Sequence, residues 1–205
     1  MLEKDRWFTE VCKEAGSAIS FEIDAHLHQE QTPFQRIDIY ATTQFGHLMA
    51  IDGFVMLTQR DNFLYHEMLT HPALFIHDQP RNVMIVGGGD CGTLREVLKH
   101  GEVEQCVQVE IDERVTRLSE QYFPELCSAN DDARAELLFA DAIQYMQEAS
   151  AESFDLIIID STDPVGPAEG LFGPQFMQNC YRALRPGGVI VQQSESPLIH
   201  SQLIC

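Results

Sequence analysis

The sequence predicts an α/β fold: a doubly wound, mostly parallel sheet with a small β-sheet domain at its N-terminal side. Three observations carry this. From Asn82 onward, short apolar runs alternate with amphipathic stretches in a strand-helix-strand rhythm. A glycine turn, Gly87-Gly88-Gly89-Asp90-Cys91-Gly92, follows the first of those runs and opens a helix. Before Tyr65 the pattern has period two instead, with a hairpin signal at Asp52-Gly53.

In chain order, Ser20–Ala25 and Phe34–Tyr40 alternate apolar and polar residues, and Leu48–Ile51 and Phe54–Leu57 flank the Asp52-Gly53 turn. Residues 1–60 therefore read as an appended β-strand domain. Asp61 is placed to cap a helix from Asn62 to Leu69, with Pro72 in the first turn of a continuation. Residues 61–81 form a helical connection, and 82–205 the main domain. Its expected strands are Val83–Val86, Cys106–Glu110, Glu136–Ala140, Phe154–Asp160 and Val189–Gln193. Its expected helices are Thr93–His100 with Gly101 as C-cap, Glu113–Tyr122, Ala142–Ala149 and about Gln175–Leu184. With the chain ending at Cys205, Val189–Gln193 is expected to form an exposed apolar edge or to pair with a partner.

The chain has 205 residues, 44% of them hydrophobic, which is enough for a packed core. Its 32 acidic residues against 13 basic ones give a net charge of −19, which argues against nucleic acid or an anionic membrane as partner. Six scattered cysteines without a C-x-x-C pair, a charged N-terminus and no bilayer-length apolar run point to a reduced, cytoplasmic setting.

In a doubly wound sheet, ligands bind beyond the carboxyl ends of the strands, where the strand order switches. Here those ends carry acids: Asp90 in the glycine turn, then Glu110, Asp141, Asp160 and, soon after, Asp163. Glu110 lies 23 positions after Gly87, near the spacing at which a carboxylate accepts both hydroxyls of an unphosphorylated ribose. Gly87, Gly89 and Gly92 formally match G-x-G-x-x-G. A dinucleotide, however, would set its diphosphate against Asp90, at several kcal/mol of repulsion. A nucleoside bearing a sulfonium and a cationic tail escapes that penalty. Asp141 directly precedes a helix and doubles as its cap. The stretch after Asp160 holds two prolines and two glycines, and suits a lid. His66 and His71 are five apart and diverge on a helix, so zinc is not expected on that pair. Cys91 reads as a packing residue.

With Gly87-Gly88-Gly89-Asp90, Val109-Glu110-Ile111-Asp112, Asp160-Ser161-Thr162-Asp163-Pro164 with Gly166-Pro167, and Tyr65-His66-Glu67-Met68 in hand, the chain resembles the polyamine aminopropyltransferases, in particular the bacterial spermidine synthases. Ile51-Asp52-Gly53 and Gln192–Pro197 fit the same pattern. The resemblance implies a Rossmann-like sheet of the S-adenosylmethionine methyltransferase type. It implies transfer of an aminopropyl group from decarboxylated S-adenosylmethionine, as co-substrate, to putrescine, with no cofactor and no metal, in a homodimer or homotetramer. By similarity, Gln35, Glu110, Asp141 and Pro167 would hold the adenosine part, with Gly87 and Gly89 giving it close approach. Asp90 would bind the aminopropyl ammonium, and His66 would line the polyamine pocket. Asp160 would accept the proton, and Asp163 and Tyr65 would position the amine.

The chemistry is consistent with those roles. An amine of pKa about 10 costs roughly 4 kcal/mol to deprotonate at neutral pH, and a buried carboxylate in contact with it lowers that cost. Cys91, where the family usually has glycine, and Ala142, where glycine is common, depart from the pattern; family members also continue past the position of Cys205, so by the resemblance the chain reads as C-terminally incomplete and impaired as a catalyst. Two other readings remain: a methyltransferase on the same fold, and a non-catalytic relative that binds polyamine or nucleoside.

Overall fold

The computed structural model describes residues 6–13, 16–162 and 166–194. It divides into two compact units, one comprising the residues up to Asn62 together with Ser194, the other Phe63–Gln193.

The first unit is an antiparallel meander of β1 (Trp7–Cys12), β2 (Ser17–Gln31), β3 (Arg36–Thr42), β4 (Gly46–Ile51) and β5 (Phe54–Thr58), in that spatial order. Phe21, Leu48 and Ala50 form its core, with Phe8, Tyr40, Phe45 and Val55 packed against them. Asp52 and Gly53 both adopt positive φ, 51° and 88°, as a two-residue hairpin turn requires. Period two picks out only part of β2. The strand runs on through the polar segment His26–Gln31 because that segment pairs with β3, and two register shifts within it break the alternation. Among the described residues β1 is an edge strand that pairs only with β2.

Helix α1 (Asn62–Ile76) follows β5 in the chain and is continuous through Pro72, where two helical pieces are expected. The carbonyl that proline leaves without a helical partner belongs to Met68, which is 69% exposed, so water can satisfy it.

The second unit has a five-stranded sheet of β6 (Asn82–Gly87), β7 (Gln105–Glu110), β8 (Ala135–Phe139), β9 (Phe154–Asp160) and β10 (Leu184–Gln192). Its order is β10-β9-β6-β7-β8 and every pair is parallel. Helices α2 (Gly92–Leu98), α3 (Glu113–Tyr122), α4 (Ala142–Glu148) and α5 (Pro174–Ala183) connect the strands, with a 3-10 turn over Gly166–Phe172. The pleat sorts the strand residues between two cores. Met84, Val86, Val107, Val109, Ile157 and Ile159 pack with Met146 of α4 and Phe176 and Cys180 of α5. Val83, Ile85, Cys106, Leu156 and Ile158 pack on the other face with Leu69 and Leu74 of α1 and Leu94 and Val97 of α2. Helices on both faces of a parallel sheet make this a Rossmann-like, doubly wound fold.

Gly101 does not cap α2. The helix ends at Leu98, Lys99 keeps right-handed geometry, and the N–H groups of Lys99 and His100 donate to Glu96 and Val97. β10 starts earlier than Val189, with a register shift between Leu184 and Val189.

Candidate active site

The chain leaves β6 toward β7 on one side and reaches β9 on the other, so strand order switches between β6 and β9. At this switch Gly87 pairs in register with Asp160. Gly87 and Gly88 take positive φ of 79° and 68°, and a Cβ on Gly87 would come within 2.3 Å of the Asp160 carbonyl. Gly89 lies against Glu110, where a Cβ would meet Oε2 at 2.8 Å. The three glycines thus allow the turn to nest between two strand ends.

The turn carries Asp90 into a defined setting. Its Oδ1 accepts the Gly92 N–H at 2.7 Å, and its Oδ2 lies 3.2 Å from His66 Nε2. His66, on α1, has a side chain only 1% exposed and packs flat against Gly92, where a Cβ would be 2.2 Å from the ring. Burial opposes charge on His66, but the charge and hydrogen bond of Asp90 outweigh it, and its pKa rises. For Asp90, burial works upward but His66 and the Gly92 N–H prevail, so its carboxyl stays below the usual range.

Asp160, buried at the end of β9, receives two hydroxyls. Tyr65 Oη donates to Oδ1 at 2.6 Å, and Thr93 Oγ1 donates to Oδ2 at 2.6 Å. Its pKa is raised, first by burial and then by the charge of Asp90, against the pull of His66, Thr93 and Tyr65. A carboxylate with a raised pKa is a stronger base than an ordinary one, and two donors leave lone pairs free for a third.

Glu110 closes β7 with its side chain buried, and Oε1 accepts the Asp112 N–H at 2.8 Å. Burial pushes its pKa up to about 7, with the charges of Asp112 and Asp160 adding to the rise. Asp141 follows β8 and caps α4, accepting the Ile143 N–H at 2.8 Å. The Ala140 N–H before it donates to the Glu110 carbonyl at 3.0 Å.

The second unit therefore brings Tyr65, His66, Gly87, Gly89, Asp90, Glu110, Asp141 and Asp160 to one rim of one sheet. Pro167 lies in the 3-10 turn, and Asp163 lies outside the described residues. Gln35 belongs to the first unit, in the turn between β2 and β3, where its N–H donates to Thr32 Oγ1 at 3.1 Å. His66 and His71 diverge as the helical spacing predicts: His66 meets Asp90, and His71 meets Glu96. Sequence reasoning misses Thr93. A threonine opening a helix reads as a cap, but this one is fully buried and reaches across to β9. Cys91 sits at φ 67°, a conformation that favours glycine, with its side chain fully buried. The described cysteines are all free thiols, and none of the described helices is long and apolar enough to cross a membrane.

Comparison with known proteins agrees with this geometry. Residues 62–205 match the spermine/spermidine synthase domain, and residues 6–59 match the spermidine synthase tetramerisation domain. A polyamine aminopropyltransferase of Methylococcus capsulatus is 63% identical over 204 residues, covering 100% of this chain and 72% of the relative. One of Thioalkalivibrio sulfidiphilus is 64% identical over 198 residues, covering 97% and 69%. Among solved structures, a spermidine synthase in complex with the transition state analogue AdoDATO has a TM-score of 0.91 at 38% identity, covering 96% of this chain and 67% of that one. The spermidine synthase of Thermotoga maritima gives 0.88 at 36% identity, covering 98% and 67%. By domain matches, by sequence identity and by fold alike, the chain belongs to the spermidine synthase family of polyamine aminopropyltransferases.

Proposed function

We propose that the chain makes spermidine by transferring the aminopropyl group of decarboxylated S-adenosylmethionine to putrescine, releasing methylthioadenosine. The observation that carries the reading is the pair of acids at the strand switch, Asp160 buried and Asp90 partly buried. Asp90 is pinned by Gly92 and His66, and Asp160 is held by Tyr65 and Thr93 close enough to feel its charge. Two carboxylates suit a substrate pair with cationic tails, and a substrate carboxylate beside Asp90 would be repelled. This favours the decarboxylated nucleoside over intact S-adenosylmethionine, and so aminopropyl transfer over methyl transfer. A relative of the same fold was solved with a transition state analogue, in line with a ligand of this class.

In this reading Asp90 holds the aminopropyl ammonium and His66 lines the amine pocket. Tyr65 and Asp163 orient putrescine. Asp160 takes the proton as the amine nitrogen attacks the carbon beside sulfur, and the C–S electron pair stays on the departing thioether. Glu110 accepts the ribose hydroxyls. Asp141, Gln35 and Pro167 complete the adenosine site, and Gly87 and Gly89 let the nucleoside approach the backbone. The sulfonium is already an activated leaving group, so the reaction so written calls for neither metal nor cofactor. The match of residues 6–59 to a tetramerisation domain supports assembly as a homodimer or homotetramer, and the acidic, thiol-bearing chain suits the cytoplasm.

The test is incubation with putrescine and either nucleoside, with products separated by chromatography and nucleoside binding measured calorimetrically. Spermidine and methylthioadenosine, with tighter binding of the decarboxylated nucleoside, are expected. Preference for intact S-adenosylmethionine, or methyl transfer from it, would overturn the proposal.

A further inference from the structure

On the far side of α1 from His66, a second group of side chains is left unused by the reaction. Glu67 and His71, one turn apart on α1, converge with Glu96 of α2, and one ligand atom from each lies within 4.8 Å of the others. We propose that Glu67, His71 and Glu96 form a binding site for a divalent transition-metal ion of the zinc class, tying α1 to α2.

The spacing supports this. His71 Nε2 and Glu96 Oε2 are 3.2 Å apart. Two ligands at about 2.1 Å from a tetrahedral zinc are separated by about 3.4 Å, so an ion can enter between them with a shift of a few tenths of an ångström. Glu67, partly exposed on the same helix face, supplies the third ligand, and water the fourth. His71 is also set up as a zinc ligand from behind: its Nδ1 is 2.9 Å from His100 Nε2. With Nε2 on the metal, Nδ1–H donates to His100, the outer-shell bond that zinc-bound imidazoles use. The Glu96 side chain is fully buried, and its Oε1 is fixed by Arg95 Nε and Nη2 at 2.9 Å. Its Oε2 carries Lys99 Nζ. The Lys99 side chain is 53% exposed and can swing into water when the ion arrives. One imidazole nitrogen among carboxylates selects zinc or cobalt over magnesium. Neither His66 nor any acid of the proposed catalytic set takes part, so the site is separate from the reaction.

The experiment is calorimetric titration of chelator-treated protein with zinc chloride, with cobalt absorption and melting temperature as further readouts. Expected are saturable binding of an ion per chain, a raised melting temperature, and a tetrahedral cobalt spectrum that zinc abolishes and magnesium does not. His71→Ala and Glu67→Gln should each remove saturable binding. His100→Ala should weaken it by roughly 10- to 100-fold. The metal-free melting temperatures of the variants show that they fold. No saturable binding by wild type, an octahedral cobalt spectrum, or binding unchanged in His71→Ala and Glu67→Gln would each overturn the proposal.

Discussion

Glu110 offers a test in which the sign and the size both follow from its surroundings. In the free protein burial pushes its pKa up to about 7, outweighing the relief from the Asp112 and Ile111 N–H groups, with the charges of Asp112 and Asp160 adding to the rise. A ribose that donates both hydroxyls to Glu110 stabilises the ionised form and draws its pKa back toward the ordinary value near 4.5. Methylthioadenosine should then bind with full affinity only where Glu110 is already ionised. At pH 5.5, about 1.5 units below that pKa, roughly 3% of the free protein is ionised, so affinity should be about 30-fold weaker than at pH 8, or ~2 kcal/mol. Calorimetric titration from pH 5.5 to 8.5 measures this, and methylthioadenosine isolates it because the ligand lacks the aminopropyl ammonium proposed to meet Asp90. Glu110→Gln should bind more weakly at pH 8, by about 1.5–3 kcal/mol, the worth of hydrogen bonds to a charged group, with a nearly flat pH profile. A flat wild-type profile, or a glutamine variant that keeps the slope, refutes the reasoning.

The same group governs stability. Its pKa is near 4.5 unfolded and about 7 folded, so between those values the folded state binds more protons, and wild-type stability should fall by up to about 3 kcal/mol as pH rises through the window. Urea melts of wild type and Glu110→Gln at pH 4.5 and 7.5 check this, and a parallel fall in both proteins would refute it. Thr93→Val removes a 2.6 Å donor from Asp160 with little change in volume. Turnover should drop about 10- to 100-fold and the acidic limb of its pH profile should move upward, with Thr93→Ser restoring both. Gly92→Ala would put a methyl 2.2 Å from the His66 ring, so a melting temperature equal to wild type would contradict the packing described. Cys91→Gly relieves a left-handed residue at the loss of a buried thiol and should change stability by less than about 1 kcal/mol, whereas Cys91→Val, branched at positive φ, should lose about 2 kcal/mol or more.

Much of the sheet was legible because its strands are apolar on both faces and bounded by glycine or acid. Phe154–Asp160 and Glu113–Tyr122 have the same limits in the sequence and in the structure. The first unit was harder to read. Half of β2 is polar and earns its strand conformation from cross-strand pairing with β3, which no local pattern encodes. Pro72 likewise breaks a helix in sequence rules but not in α1, because whether its orphan carbonyl reaches water depends on tertiary exposure.

Within the site, the residues legible in sequence are those that announce themselves by position: acids at strand ends and glycines before a helix. What escaped is how they hold one another. Asp90 and Asp160 are 70 residues apart, yet Asp90 helps to raise the pKa of Asp160 through a field that exists only once β6 and β9 are neighbours. The consequence is a division of labour between two otherwise similar acids. Asp90 has a backbone N–H and an imidazole as donors and stays charged, as the cation-holding role proposed for it requires. Asp160, buried and in the field of Asp90, is raised toward the range in which a carboxylate can accept a proton, and its two neutral hydroxyl donors hold that rise in check. Thr93 and Gly92 tune that difference, one by donating to Asp160 and so limiting its rise, the other by making room for His66, which is why neither could be weighed until the strands were in place.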